Sequence, residues 1–191
     1  AKFYATVHVG KSGSLTKQLP AFNKYMEEVS SYMKKGKNYS EVAVYLPNED
    51  SWIAGELPLE KQFIWAWGAY EQRYTNLPQE LKGYRPLWIN GDFLKSATFQ
   101  NGLLKVGDLA FKSLYIDVKY LDIKALESVV VLAKHGLPIC LKQIPIEPGF
   151  RKTGQHYNNL INQLKGFKNV KALWSEMGLN TPLITGTENF D

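Results

Sequence analysis

Residues 41–50 read EVAVYLPNED, an apolar run that ends in a proline and then in acidic residues. The segment from Val42 to Leu46 is apolar on both alternating faces, which is typical of a buried parallel strand. In open α/β sheets, ligands bind outside the carboxyl ends of such strands. The stretch therefore predicts a parallel sheet and indicates the edge of that sheet where a binding site should be sought.

Strands and helices alternate on both sides of this stretch. We predict further core strands over residues 86–89, 112–116, 137–141 and 170–174. We predict helices over residues 19–33, 59–74 and 122–134, a short one containing Phe93 and Leu94, and one carrying Tyr157 and Leu164. Asn101-Gly102 predicts a β-hairpin between residues 98–100 and 103–106. Such alternation requires right-handed crossovers and predicts a flavodoxin-like, three-layer α/β domain with a mainly parallel sheet of about five strands.

Composition indicates a globular protein with one sizeable core. The chain has 191 residues, of which 45% are hydrophobic and 13% aromatic. Its net charge of +5 comes from lysines that are scattered over many segments, so a solvated surface is favoured over a nucleic-acid patch. No segment approaches the roughly 18 consecutive apolar residues that a membrane span needs. We therefore expect neither a nucleic acid nor a membrane as a partner.

A phosphate-binding loop is one catalytic motif that the sequence imitates. Gly10-Lys11-Ser12 follows an apolar run, as at the end of such a loop. However, Ala5 stands where the motif requires glycine, and Pro20 follows too soon for the long helix that should begin at the lysine. We reject the nucleotide-binding interpretation and expect no cofactor.

Cysteine and histidine chemistry is also poorly supported. Cys140 is the single cysteine and lies inside an apolar strand, which favours a buried thiol over a nucleophile. His8, His135 and His156 are far apart in sequence and show no metal-ligand spacing. We therefore expect no metal and assign no catalytic residue.

Carboxylates at the predicted sheet edge are the remaining candidates. Glu49, Asp50, Glu56 and Asp92 lie in predicted loops there, and Trp52 is available to stack on a sugar ring. Glycoside hydrolysis uses two carboxylates across a cleft, whereas isolated acidic residues are more often solvated loop side chains or helix caps. We take these five residues as candidates for substrate binding.

Three longer segments, residues 19–52, 83–117 and 121–141, carry a family-level pattern. Its residues are Leu19, Pro20, Asn23, Tyr25, Val42 to Pro47, Glu49, Asp50, Trp52, Gly102 to Gly107, and Gly136 to Pro138. With these residues the segments resemble the α/β domain that follows the catalytic barrel in large bacterial glycoside hydrolases of the α-L-rhamnosidase type. A more distant parallel is the amidotransferase-like domain that follows the barrel of some β-galactosidases.

The resemblance implies that the catalytic acid and base lie in a barrel of the same parent chain. Residues 1–18 would be the end of that barrel or a linker, residues 19–177 the flavodoxin-like domain, and residues 178–191 a connector to a following domain. The domain alone would be inactive, would contact carbohydrate through the parent enzyme, and would brace the barrel, with a loop that could contribute to the rim of the active site. A periplasmic or secreted parent is compatible with this picture.

Two other functions stay open from the sequence. One is a self-sufficient α/β hydrolase that uses Glu49, Asp50, Glu56 or Asp92, and the other is a module that binds a small anion.

The predicted helix over 59–74 adds an expectation about partners. Because Trp65 and Trp67 point about 200° apart on a helix, Trp65 should face a neighbouring domain or a second copy of the chain.

Overall fold

The computed structural model describes residues 13–36, 38–53, 77–149, 152–179 and 182. The predicted helix over 59–74, with Trp65 and Trp67, lies outside these residues. Glu56 and most of the two terminal segments, 1–18 and 178–191, also lie outside them. The chain divides into two compact units, residues 1–38 and 39–191. The boundaries proposed from the sequence stay a prediction.

The first unit contains the helix α1, Leu19–Met33, with Pro20 in its first turn. Proline is favoured there because the first helical amide groups lack an intrahelical partner. Beyond the helix, Gly36 has a φ of +93°, a conformation that glycine adopts without steric cost. The predicted helix and its stop are confirmed.

The second unit alternates strands and helices. Its elements are β1 (Val42–Tyr45), α2 (Asn48–Ile53), β2 (Leu87–Ile89), α3 (Gly91–Ser96), β3 (Thr98–Gln100), β4 (Leu103–Val106), β5 (Leu109–Phe111), β6 (Ser113–Ile116), α4 (Ile123–Lys134), β7 (Ile139–Leu141), α5 (Gln155–Gly166) and β8 (Val170–Lys171). Short 3-10 turns occur at Gln79–Leu81 and Trp174–Met177. No helix among the described residues has the length and apolar character needed to cross a membrane.

Five strands form a parallel sheet in the order β2-β1-β6-β7-β8. Val44 at the centre of β1 pairs with Trp88 of β2 on one side and with Tyr115 of β6 on the other. Numbered among themselves, the parallel strands have the order 2-1-3-4-5 of flavodoxin-like folds, whose topological switch point lies between the first and third strands. The predicted α/β fold is confirmed, and its switch point lies between β1 and β6.

A second, antiparallel sheet has the order β3-β4-β5. The predicted hairpin of β3 and β4 is confirmed, and its turn residues Asn101 and Gly102 have φ values of +54° and +75°. Two positive φ values in a two-residue turn match the right-handed twist of the flanking strands. Strand β5 was not predicted from the sequence; it follows β4 after the two-residue turn at Gly107 and Asp108.

The two faces of the parallel sheet are covered differently in the described part of the chain. Ala43 and Tyr45 face a large apolar cluster that includes side chains of α3, α4, α5 and the small sheet. Val42 and Val44 face a smaller cluster with Leu81, Tyr115 and Cys140. All four residues of β1 are buried, as the apolar run predicted.

The last predicted strand, 170–174, is too long. The strand ends at Lys171 and the chain enters a 3-10 turn at Trp174. The turn places the Trp174 ring edge-on against Tyr84 and Tyr115, with centroid distances of 5.3 and 6.0 Å. Packing of the indole against these rings therefore takes precedence over extension of the edge strand.

Candidate functional site

A cavity of about 460 Å³ lies at the carboxyl edge of the parallel sheet. It is bounded by the end of β1, by α2, by the N-terminal parts of α3 and α4, and by the loop that follows β7. Its lining includes the side chains of Tyr45, Glu49, Trp52, Asn90, Asp92 and Asp122. Its place beside the switch point is where open α/β sheets bind ligands.

Helix α2 replaces the loop that the sequence analysis predicted after β1. Its first turn contains Glu49 and Asp50, whose negative charges are favourable at a helix N-terminus. Asp50 also accepts hydrogen bonds from the backbone amides of Lys119 at 2.9 Å and Tyr120 at 2.7 Å. These contacts join α2 to the loop after β6 and fix the orientation of the helix over the cavity.

Glu49 is a buried carboxylate in the cavity wall, with 6% of its surface exposed. Its Oε1 accepts hydrogen bonds from the Tyr45 hydroxyl at 2.8 Å and from the Asp122 amide at 3.3 Å. No donor among the described residues reaches Oε2, which exposes less than 1 Å². An acceptor left without a partner in a buried position is costly, so Oε2 is a natural point for a donor to bind.

Tyr45 is held as a hydrogen-bond donor. Burial, followed by the proximity of Glu49, raises the pKa of the Tyr45 hydroxyl well above its ordinary value of 10.0. The hydroxyl therefore keeps its proton and continues to donate to Glu49 across the neutral range.

Asp92 forms an ion pair at the rim of the cavity. Its Oδ1 lies 2.7 Å from Nζ of Lys95, three residues later on α3. The hydrogen bond and charge of Lys95 lower the pKa of Asp92, and the same contact raises the pKa of Lys95. A general acid at neutral pH needs the opposite shift, so Asp92 is poorly suited to protonate a leaving group.

Two N-cap residues position the helices around the cavity. The Asn90 Oδ1 accepts hydrogen bonds from the amides of Asp92 and Phe93, both at 3.1 Å. Asp122 accepts a hydrogen bond from the Lys124 amide at 2.9 Å. Such caps stabilise helix starts by satisfying amides that have no intrahelical partner.

The structure brings three of the five predicted binding residues to this cavity. Glu49, Trp52 and Asp92 line it, and the Trp52 side chain is 77% exposed. Asp50 does not line the cavity, and the backbone contacts of its carboxylate give it a structural role. Glu56 lies outside the described residues. Substrate binding by any of the five stays a prediction.

Sequence reasoning did not select Asp122 as a site residue. The sequence nevertheless indicates that Asp122 is an N-cap, because an acidic residue directly before the regularly spaced apolar residues of a helix is typical of that position. This N-cap follows β6, whose carboxyl end lies beside that of β1, but the adjacency of these strands depends on the strand order.

The charges around the cavity disfavour an anionic ligand. Among the described residues of the lining, Glu49, Asp92 and Asp122 contribute three carboxylates and Lys95 contributes a positive charge. Since Lys95 already pairs with Asp92, the remaining charge of these described residues is negative. No group of three or more potential metal ligands occurs in the described part of the chain.

Comparison with known proteins gives a structural neighbour. No family model matches the sequence, and no curated protein matches it. The fold is similar to part of a rhamnosidase from Novosphingobium sp. PP1Y, with a TM-score of 0.56 and 17% sequence identity. The similarity covers 79% of this chain and 14% of the rhamnosidase chain. This chain thus matches a domain-sized part of a much longer protein, and at this identity the similarity establishes the fold.

Proposed function

We propose that this chain is a non-catalytic accessory domain of a larger glycoside hydrolase related to rhamnosidases. The observation that carries the proposal is the similarity to a rhamnosidase, which extends over 79% of this chain but only 14% of that enzyme. A match of this extent is typical of one domain within a multidomain chain. The reaction would then belong to another part of the parent protein, a catalytic barrel.

The chemistry of the cavity supports a non-catalytic role. Glycosidases need one carboxyl group that stays protonated and a second that acts as base or nucleophile. Asp92 has a lowered pKa through Lys95, and Asp122 caps α4. Glu49 uses Oε1 to hold the Tyr45 hydroxyl and the Asp122 amide. Each of these three acids therefore has a structural task, which argues against their use as the catalytic pair of a self-sufficient hydrolase.

The same cavity suggests how the domain assists its parent. Trp52 and Ile53 on α2 are 77% and 39% exposed beside the opening. Exposed apolar side chains next to a polar cavity are typical of surfaces that meet a ligand or another domain. In the proposed arrangement, the domain braces the barrel and α2 contributes to the rim of its active site.

The test compares the complete parent protein with the present chain alone. On a panel of aryl glycosides that includes an α-L-rhamnoside, we expect the parent to hydrolyse at least one substrate and the chain to show no turnover above buffer. In the parent, Glu49→Gln and Asp92→Asn should leave measurable kcat, whereas removal of the barrel should abolish it. Turnover by the chain alone that disappears in Asp92→Asn or Glu56→Gln would overturn the proposal.

A further inference from the structure

The most informative unpaired group in the described residues is Oε2 of Glu49. The residue is 6% exposed and lines the cavity, and its other oxygen is occupied by Tyr45 and the Asp122 amide. A buried carboxylate oxygen without a donor is uncommon in folded proteins. Because a carboxylate oxygen only accepts hydrogen bonds, the group that would satisfy Oε2 is an O–H or N–H donor.

The size of the cavity indicates a small molecule. Ligand pockets occupy about 300–1,000 Å³, and this cavity measures about 460 Å³. One hydroxyl donor bound to Oε2 would leave most of that volume free, so the ligand should carry several groups.

The remaining polar groups distinguish between classes of ligand. Asn48 and Asn90 also line the cavity, and their side-chain amide nitrogens donate to no other described residue. The wall therefore presents donors on these two residues as well as an acceptor on Glu49. A hydroxyl both donates and accepts, whereas an ammonium group only donates and a phosphate mainly accepts. This mixture fits a neutral ligand with many hydroxyl groups.

An apolar surface completes the arrangement. The Trp52 side chain is 77% exposed at the cavity, so one face of its indole is free to pack against C–H groups. A sugar ring combines such C–H faces with peripheral hydroxyls. Aromatic rings offer a large contact area at a small cost in side-chain entropy.

From these observations we infer that the cavity binds one neutral monosaccharide unit. A ring hydroxyl donates to Oε2 of Glu49, the carboxamides of Asn48 and Asn90 hydrogen-bond to neighbouring hydroxyls, and Trp52 covers one face of the ring. Because Oε2 exposes less than 1 Å², the ligand first meets Trp52, and a small rotation of the carboxylate then admits the hydroxyl. The carbohydrate class rests on the proposed function.

The experiment is a titration of the intact 191-residue chain, followed by the ¹H–¹⁵N NMR signals of its amide and indole groups. The probes are L-rhamnose and D-galactose as neutral sugars, inorganic phosphate as an anion, and choline as a cation. We expect a neutral sugar to shift the Trp52 indole signal and the side-chain signals of Asn48 and Asn90. Phosphate and choline should leave them in place. Preference for either ion, or no shift with any neutral sugar, would overturn the inference.

Two variants test the residues, each with a matched control. Trp52→Ala and Glu49→Gln should each weaken sugar binding by about tenfold or more, because each removes a contact to the ligand. The controls are Phe93→Ala, which removes a 52% exposed ring outside the cavity, and Glu127→Gln on the exposed side of α4. Both controls should bind as the wild type does. Equal binding by the wild type, Trp52→Ala and Glu49→Gln would contradict the assigned site.

The design separates this inference from the proposed function. Glu49→Gln keeps an oxygen that can accept hydrogen bonds from Tyr45 and the Asp122 amide. If this variant nevertheless fails to fold, Trp52→Ala tests the binding site, because it removes only an exposed side chain. A chain that neither hydrolyses nor binds sugar overturns only the binding inference. A chain that hydrolyses glycosides by itself overturns the proposed function.

Discussion

Tyr45 donates its hydroxyl hydrogen to Oε1 of Glu49 over 2.8 Å, so the last residue of β1 is tied to the first turn of α2 inside the cavity wall. The two residues are four apart in sequence, and the buried bond connects the sheet edge to the helix that carries Trp52. The geometry of the candidate site therefore depends on a local contact.

Removal of this contact should destabilise the protein. In Tyr45→Phe, the one hydrogen bond that Glu49 would keep from the described residues is that from the Asp122 amide at 3.3 Å, which compensates its burial less well. Hydrogen bonds to charged groups contribute about 1.5–3 kcal/mol, and we expect a loss of this size in urea unfolding. Tyr120→Phe, at a half-buried position outside the core, is the control and should cost much less.

A double variant checks that the effect arises from the pair. If Tyr45 acts through Glu49, Tyr45→Phe combined with Glu49→Gln should cost less than the two separate losses together. Strictly additive losses would show that the two side chains act independently.

Asp50 should stabilise the protein without binding ligand. Its carboxylate accepts backbone hydrogen bonds at 2.9 and 2.7 Å, and Asp50→Asn leaves one acceptor oxygen for two amides. We expect a loss of about 1–2 kcal/mol in the free energy of unfolding, and a smaller loss of sugar affinity than Trp52→Ala causes. Asp108→Asn in the exposed turn after β4 is the matched control. A large loss of affinity with unchanged stability would return Asp50 to the set of binding residues.

Helices, strands and turns with a clear local sequence pattern were predictable from the sequence. The four apolar residues of β1, the period of α4 and the Asn101-Gly102 turn each give a local signal that packing reinforces. By contrast, α2 is only six residues long and has the proline and acidic residues of a loop. In the structure, Asp50 of this helix accepts hydrogen bonds from Lys119 and Tyr120, which are about 70 residues away in sequence and which no local pattern indicates.

The candidate site was predictable only in part. Parallel strands end at one edge, so the residues after β1 and β2 could be expected to lie near each other. Asp122 joins them because β6 pairs with β1, and several topologies would satisfy the same sequence pattern. The unpaired Oε2 of Glu49 depends on distances of a few tenths of an ångström, which no sequence period encodes.

The hairpin turn provides a test of backbone conformation alone. Gly102 has a φ of +75°, and a Cβ added there would meet no atom within 4 Å. Gly102→Ala should therefore cost about 1 kcal/mol through the unfavourable φ rather than through a clash. Gly166 at the end of α5 also has open space but no positive φ, so Gly166→Ala should be neutral or stabilising in thermal unfolding. Equal losses for the two variants would contradict the explanation.

Cys140 should be unreactive until the protein unfolds. The residue has 0% exposure, and burial raises the pKa of its thiol to about 11. Near pH 8 only about one thiol in a thousand would be ionised, and the thiolate is the reactive form. We expect iodoacetamide to label Cys140 at the rate of global unfolding, with labelling accelerated in urea. Rapid labelling of the native protein would contradict this placement of the thiol in the core.

Glu147 should make stability depend on acidic pH. Its carboxylate accepts hydrogen bonds from the Thr153 amide at 2.8 and 2.9 Å, from the Thr153 hydroxyl at 2.8 Å and from the Gly154 amide at 3.2 Å. Burial alone would raise the pKa of Glu147, but these hydrogen bonds outweigh it and lower the pKa below its ordinary value of 4.5. A lowered pKa in the folded state means that the stabilisation is complete above pH 4.5 and is lost as the pH falls through the folded-state pKa.

Urea unfolding at a series of pH values tests the role of Glu147. The urea concentration at the midpoint should decrease for the wild type as the pH is lowered from 4.5. For Glu147→Gln, the midpoint should be lower at neutral pH and should change less with pH. Asp108→Asn, which alters an exposed carboxylate in the turn after β4, should follow the wild-type curve. A Glu147→Gln curve parallel to the wild type would show that Glu147 is not the group responsible.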